Sequence, residues 1–150
     1  MKAVRIGAAV IAIAATLVVA GGVSAAQPQA VTITVNTDIE GLVDPFEAIG
    51  GLVCTAGMVS NVGGRFVGWQ SGSHAMIIET KRFECADGTF DVLLRVNLDF
   101  ATGDTAGTWS VLDGLGTYAS LHGAGSITGD KTDPSASTIL DTYTGAMHFD

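Results

Sequence analysis

Apolar and polar residues alternate along most of the chain after position 26, which is the pattern of half-buried β-strands. The clearest segment runs from Phe90 to Phe100: its even-numbered residues are all apolar, and its odd-numbered residues include Asp91, Arg95 and Asp99. Burying the odd-numbered set would remove ionisable groups from water at a high cost. We therefore predict that the even-numbered side chains face the interior of the fold.

The same pattern predicts strands at 31–35, 51–60, 65–69, 75–85, 90–100, 108–112, 125–128 and 137–149. Asp-Gly pairs, which tolerate tight-turn conformations, predict hairpin turns that include Asp113-Gly114. Asp44, Pro45 and Glu47 have the order of a helix cap, a first helical residue and a capping-box acid, and so predict one helical turn. Strands of this length suit a barrel or a sandwich. Together with the glycine run described next, they lead us to expect an all-β fold, a single antiparallel β-barrel of about eight strands.

A run of glycines between positions 107 and 125 is the most informative local feature. Glycines lie at both ends of two short apolar segments there, with Tyr118 and Leu121 between the last two clusters. Glycine is favoured where the backbone needs a positive φ or approaches another backbone closely. The run predicts a strand, a corner and a returning strand, with Gly116 or Gly123 having a positive φ or no room for a Cβ.

The first 26 residues predict export. Lys2 and Arg5 precede an uncharged apolar stretch at 6–20, and small residues follow to Ala26, as in a secretory signal peptide cleaved after Ala25 or Ala26. The alternative is an uncleaved membrane anchor, because Ile6 to Val23 is about long enough to span a bilayer. We expect a signal peptide at 1–26 and one domain at 27–150, secreted or periplasmic and without a stable membrane anchor.

Charge and cysteine content limit the possible functions. The part after position 26 has five basic and fifteen acidic residues, a net charge of −10, which disfavours nucleic-acid binding. Cys54 and Cys85 are an even pair in a chain predicted to be exported, and are expected to form a disulfide. A catalytic cysteine would more often stand alone beside an activating base.

Motifs for cofactors and metals give no positive prediction. Gly114-Leu115-Gly116 lacks the further residues of a phosphate loop. His74, His122 and His148 are widely separated, without the close pair that three-histidine zinc sites usually show. The acidic residues at 38–47 lack the spacing of a calcium loop. We predict no cofactor and no metal.

The glycine run and the segment around Cys85 resemble the allene oxide cyclase and dirigent barrels and small secreted bacterial proteins that share these motifs. The residues that carry the resemblance are Cys85, Asp87, Gly88, Phe90, Gly107, Trp109, Gly114, Gly116, Tyr118, Leu121, Gly123 and Gly125. It implies an eight-stranded antiparallel barrel with an apolar interior. The plant enzymes of that group hold unstable intermediates rather than attack them, and the resemblance assigns no polar site residue here.

The leading functional hypothesis is a secreted barrel that binds a small apolar ligand in its interior. Candidate ligand-binding residues are Phe90, Leu94, Trp109, Tyr143 and Met147. The alternatives are a non-catalytic partner-binding or cell-envelope protein and a cyclase- or dirigent-type enzyme, for which Tyr143 and His148 are the polar candidates. An interior cavity of several hundred Å³ would favour the ligand-binding barrel and the enzyme over the partner-binding protein. A buried polar cluster with perturbed pKa values would favour the enzyme.

Overall fold

The computed structural model describes residues 26–68, 72–131 and 136–150. In these ranges eight antiparallel strands form a closed barrel whose order follows the chain, with β1 paired to β8. The strands are β1 (Gln29–Asp38), β2 (Val43–Ile49), β3 (Ala56–Val67), β4 (His74–Cys85), β5 (Gly88–Asp99), β6 (Thr105–Gly116), β7 (Leu121–Asp130) and β8 (Thr138–Phe149). The predicted all-β barrel is confirmed.

No helix of the described ranges is long and apolar enough to cross a membrane. The signal peptide predicted at 1–26 lies outside the described residues, apart from Ala26.

The interior face of β5 follows the predicted alternation. Phe90, Val92, Leu94 and Val96 are buried, and Leu98 is half-buried. Phe100 is the exception, because the strand ends at Asp99 and the Phe100 side chain is 47% exposed. The predicted inward direction is therefore confirmed within the strand. Phe100, just beyond its end, lines the interior cavity instead of the packed core.

The helical turn predicted at Asp44 to Glu47 is wrong. This segment lies in β2, which pairs with both β1 and β3. Asp44, Phe46 and Ala48 alternate as buried residues along it, which is a period of two. Pairing on both sides satisfies more backbone groups than an isolated helical turn would, so the local capping pattern is overridden.

Two other predicted boundaries are also wrong. The strands predicted at 51–60 and 65–69 are one strand, β3, which passes Gly63 and Gly64 with a shift of register after Asn61. Asp113-Gly114 is not a turn but lies within β6, beside a second shift of register. Glycines in these strands mark bulges, which bend a strand without ending it.

One end of the barrel, called the closed end, carries the β2–β3, β4–β5 and β6–β7 connections and is filled by side chains. Val53 is buried there, and Cys54 N–H donates a hydrogen bond to Tyr118 Oη at 3.1 Å. Tyr118 Oη in turn donates to Asp87 Oδ1 at 3.2 Å. Cys54 and Cys85 form the predicted disulfide across the same end. These contacts attach the β2–β3 connection to the rest of the barrel.

The glycine corner between β6 and β7 is confirmed. Gly116 has a φ of +66°. A Cβ on Gly123 would lie 2.6 Å from Met147 Cγ and 2.9 Å from the Ala146 carbonyl oxygen. The corner thus turns the chain at the point where Tyr118 enters the core.

Removing the disulfide should destabilise the closed end. The two cysteines are 31 positions apart, and a cross-link over a loop of this length restricts the unfolded chain. The double variant Cys54→Ser/Cys85→Ser should lose about 2–4 kcal/mol of unfolding free energy. Urea denaturation of the variant and of the reduced parent should give similar midpoints, both below that of the oxidised parent. Equal midpoints for all three would show that the bond does not support the fold.

Candidate ligand-binding cavity

Four aromatic rings in mutual contact, here called the aromatic layer, cross the barrel above the closed end; Phe83 stacks on Phe90 and meets Phe46 and Tyr143 edge to face. Phe83 is at the centre: its ring centroid lies 4.9 Å from that of Phe90, 5.1 Å from Phe46 and 5.6 Å from Tyr143. All four side chains are at most 2% exposed. Such contacts stabilise beyond the area they bury. The aromatic layer closes the lower half of the barrel and leaves the interior space on its other side.

That space is a cavity of about 740 Å³, which lies toward the opposite, open end of the barrel. Its walls are mainly aliphatic and include Ile77, Leu94, Val96, Leu98, Ile127 and Ile139. Gly63 and Gly64 of the β3 bulge also line it, and they contribute no side chain to fill it. The volume is within the range of pockets that hold small molecules.

Part of the rim at the mouth of the cavity is apolar and is formed by Ile39, Val62, Phe66 and Phe100, and charged residues that include Arg65, Asp99 and Lys131 lie beside it. The four apolar side chains are between 47% and 60% exposed. Large apolar side chains that cluster at an opening are typical of a site where an apolar molecule enters. The exposure of Phe100, which departs from the predicted strand pattern, belongs to this rim.

The bottom of the cavity is polar, and Thr37, Glu79, Lys81 and Asp141 line it; we call this set the polar floor. Glu79 and Lys81 are the next inward positions after Phe83 on β4, and Asp141 is the next after Tyr143 on β8. The polar floor therefore rests directly on the aromatic layer.

Only part of the polar floor is satisfied by hydrogen bonds between protein groups. Thr37 Oγ1 donates to Asp141 Oδ2 at 2.6 Å. Lys81 is 3% exposed, and within the described ranges its amine has no hydrogen bond or ion pair to another side chain. Tyr143 Oη, just below the floor, is buried without a hydrogen-bond partner in the same part of the chain. Of these two groups only Lys81 lines the cavity, so the Lys81 amine is the donor that the floor offers to a ligand.

Burial perturbs the acidic groups here. Desolvation raises the pKa of Glu79; Lys81 opposes that shift and Asp141 adds to it. Desolvation also raises the pKa of Asp141, against the hydrogen bond from Thr37 and the charge of Lys81. The pKa of Tyr143 is raised well above its usual value, first by burial and then by neighbouring carboxylates. The phenol therefore stays a proton donor, and the two carboxyl groups hold protons more readily than exposed ones.

The raised pKa of Glu79 should make stability depend on pH. Because this pKa lies above the ordinary 4.5, the folded state binds more protons between the two values, and the unfolding free energy falls as pH rises through that interval. Glu79→Gln should therefore be more stable than the parent at about pH 7.5, with the difference shrinking toward about pH 4. Urea midpoints at both pH values test this, with exposed Glu84→Gln as control. An equal gain for the two variants at both pH values would contradict the assignment.

The predicted ligand-binding residues separate into two groups. Leu94 lines the cavity, whereas Phe90, Trp109, Tyr143 and Met147 lie in the packed core and are absent from its lining. The three charged residues of the polar floor were not predicted as site residues. The signal for them was present, because Lys81 and Glu79 share the parity of buried Phe83 along one strand.

The three histidines lie outside the cavity. His122 and His148 are directly opposite on β7 and β8, and their Nε2 atoms lie 2.9 Å and 3.5 Å from the Asp150 carboxylate oxygens. His74 is on the surface near Asp99. No group of three or more His, Cys, Asp or Glu side chains is placed to hold a metal ion in residues 26–68, 72–131 and 136–150.

Comparison with protein-family models, with curated proteins and with solved structures finds no match for this chain.

Proposed function

We propose that this protein is an exported carrier or receptor that binds a small molecule with an apolar body and an uncharged, oxygen-bearing end inside the barrel. The observation that supports this most directly is the cavity of about 740 Å³, with aliphatic walls and a polar floor at its base. The apolar part of the ligand would lie against the walls, where burial is worth roughly 25 cal/mol per Å². The polar end would reach the floor.

The charges of the polar floor favour an uncharged end over an anion. One ammonium group, Lys81, faces Glu79 and Asp141, and Asp44 is buried close enough to raise the pKa of Asp141. A ligand carboxylate would add a further negative charge at a desolvated place, where like charges repel strongly. A carbonyl or hydroxyl oxygen accepts a hydrogen bond from Lys81 without that cost.

A second candidate function is an enzyme that steers a reactive intermediate. The observation in its favour is the pair of buried carboxyl groups with raised pKa values beside Lys81. Buried carboxyl groups with raised pKa values next to an amine are typical of sites that transfer protons. Holding the substrate in the same cavity would come first in either case, so binding is the property to test.

The test is a fluorescence titration with the neutral naphthalene ketone Prodan, compared with the anionic probe 11-(dansylamino)undecanoic acid. We expect saturable binding of Prodan that changes little with added salt, since exposed charge attraction is not its cause. The anionic probe should bind more weakly. Failure of Prodan to saturate would contradict the proposed function, and stronger binding of the anionic probe would contradict the choice of an uncharged end.

A further inference from the structure

Lys81 has an unusual position for a lysine. After position 26 the chain contains two lysines, Lys81 and Lys131, and both line the cavity. Lys131 is at the mouth and half-buried, whereas Lys81 is 3% exposed at the polar floor. A buried ammonium is normally fixed by a carboxylate, yet the Lys81 amine forms no ion pair within the described ranges.

We propose that the Lys81 amine bonds covalently to an apolar aldehyde or ketone held in the cavity, as an imine. This inference rests on the proposed function and narrows its ligand class. The carbonyl carbon would meet the amine at the polar floor, while the rest of the molecule lies against the aliphatic walls. Nucleophilic lysines that form Schiff bases with carbonyl compounds are a general solution to this chemistry.

The groups that face Lys81 supply the proton transfers. Glu79 lies two positions away on β4, Asp141 faces it from β8 and Asp44 lies on β2. Asn61 lies opposite Lys81 on the neighbouring strand β3 and also lines the cavity. The raised pKa values of Glu79 and Asp141 make these carboxyl groups able both to accept and to return a proton.

The reaction balances without a further reagent. The ammonium of Lys81 first transfers a proton to the Glu79 or Asp141 carboxylate. The free amine lone pair then forms a C–N bond and the carbonyl π electrons move to oxygen. A proton passes from the new ammonium nitrogen to that oxygen, which gives a neutral carbinolamine. The carboxyl group protonates the hydroxyl, which leaves as water while the nitrogen lone pair forms the C=N bond. The sum is ammonium plus carbonyl compound giving the protonated imine plus water, and the carboxylate is regenerated.

The residues around Lys81 exclude water and so favour the imine over the free amine and carbonyl compound. Water must leave for the imine to form and must stay away for it to persist. The aromatic layer closes the barrel below Lys81, and Leu94 and Val96 form part of the wall above it. Lys131, at the mouth, lacks this protection and therefore serves as the internal control.

The experiment uses the exported form of the protein, 6-methoxy-2-naphthaldehyde and sodium cyanoborohydride, which converts an imine to a stable secondary amine. Peptide mass spectrometry measures the label at each amine. We expect the label at Lys81 to exceed that at Lys131 and at the amino terminus by tenfold or more. Lys81→Met and Lys81→Arg should abolish the main adduct, and Arg95→Met, on the exposed outer face of β5, should leave it unchanged. The arginine variant keeps the positive charge if the methionine variant folds poorly.

A second measurement separates this inference from the function on which it rests. The corresponding alcohol, 6-methoxy-2-naphthalenemethanol, has the same body but forms no imine, and its binding is followed by its own fluorescence. Saturable binding of the alcohol with no preferential label at Lys81 would overturn the imine and leave the binding function intact. Absence of saturable binding for both the alcohol and Prodan would overturn the binding function itself.

Discussion

Leu98→Trp should weaken Prodan binding by about tenfold or more, which corresponds to at least about 1.4 kcal/mol. Leu98 is half-buried and lines the cavity between Val96 and the mouth. An indole at this position would occupy the space that the proposed ligand needs. The fold should tolerate the larger side chain, because it extends into open space rather than into the aromatic layer.

The matched control is Asn97→Trp. Asn97 is the adjacent residue on β5, but it is exposed on the opposite face. The two variants gain the same side chain one position apart, so they differ only in whether the indole points inward. Prodan titrations and urea midpoints should show lost binding with near-parental stability for Leu98→Trp and parental values for Asn97→Trp. Full binding by both variants would place the probe outside the cavity.

The largest loss of stability is expected at the centre of the aromatic layer. Phe83 is fully buried and its ring contacts those of Phe46, Phe90 and Tyr143. Phe83→Ala removes the shared partner of the three other rings and leaves a hole beneath the polar floor. Substitutions of this kind cost about 3–5 kcal/mol, from lost burial and from the cavity that remains.

Urea denaturation measures this loss, with Phe66→Ala as the control. Phe66 is 60% exposed on the rim, so its removal should change the unfolding free energy by about 0.5 kcal/mol or less. Phe83→Leu keeps most of the volume and should lie between the parent and the alanine variant, which provides a measurable point if Phe83→Ala does not fold. Similar losses for Phe66→Ala and Phe83→Ala would show that the aromatic layer is not the main packing centre.

The alternation of residues predicted an all-β fold and the glycine run favoured a barrel, but not all strand boundaries could be predicted. Period two is unmistakable where a strand is long and uninterrupted, as at Phe90 to Val96. The strand was missed in β2, where Asp44 and Pro45 carry a strong local helix-start signal although pairing with two neighbouring strands decides the structure. Glycines are ambiguous in the same way, since Gly63 and Gly114 fit a turn or a bulge equally well.

The site was harder to predict than the fold. Aromatic residues were expected to line a ligand cavity, but large aromatic side chains such as Trp109 fill the interior themselves. Space remains where glycines and aliphatic residues face inward. Asp141 and Lys81 are more than fifty positions apart in the chain and meet only because the barrel closes through β1 and β8. The available clue was a charged residue at a strand position whose side chain faces inward. Charged residues are mostly exposed in proteins, so such a residue is normally assigned to the surface.

The order of the strands has a consequence for how the chain folds. Every pairing except one joins strands that are adjacent in sequence, and such hairpins form rapidly because the loops to be closed are short. The β1–β8 pairing joins residues that are 100 or more positions apart, so its loop-closure entropy is the greatest. Until the β1–β8 pairing forms, the sheet has two unpaired edge strands that can pair with edge strands of other chains. Refolding yield should therefore fall as protein concentration rises, and dilution favours closure within one molecule.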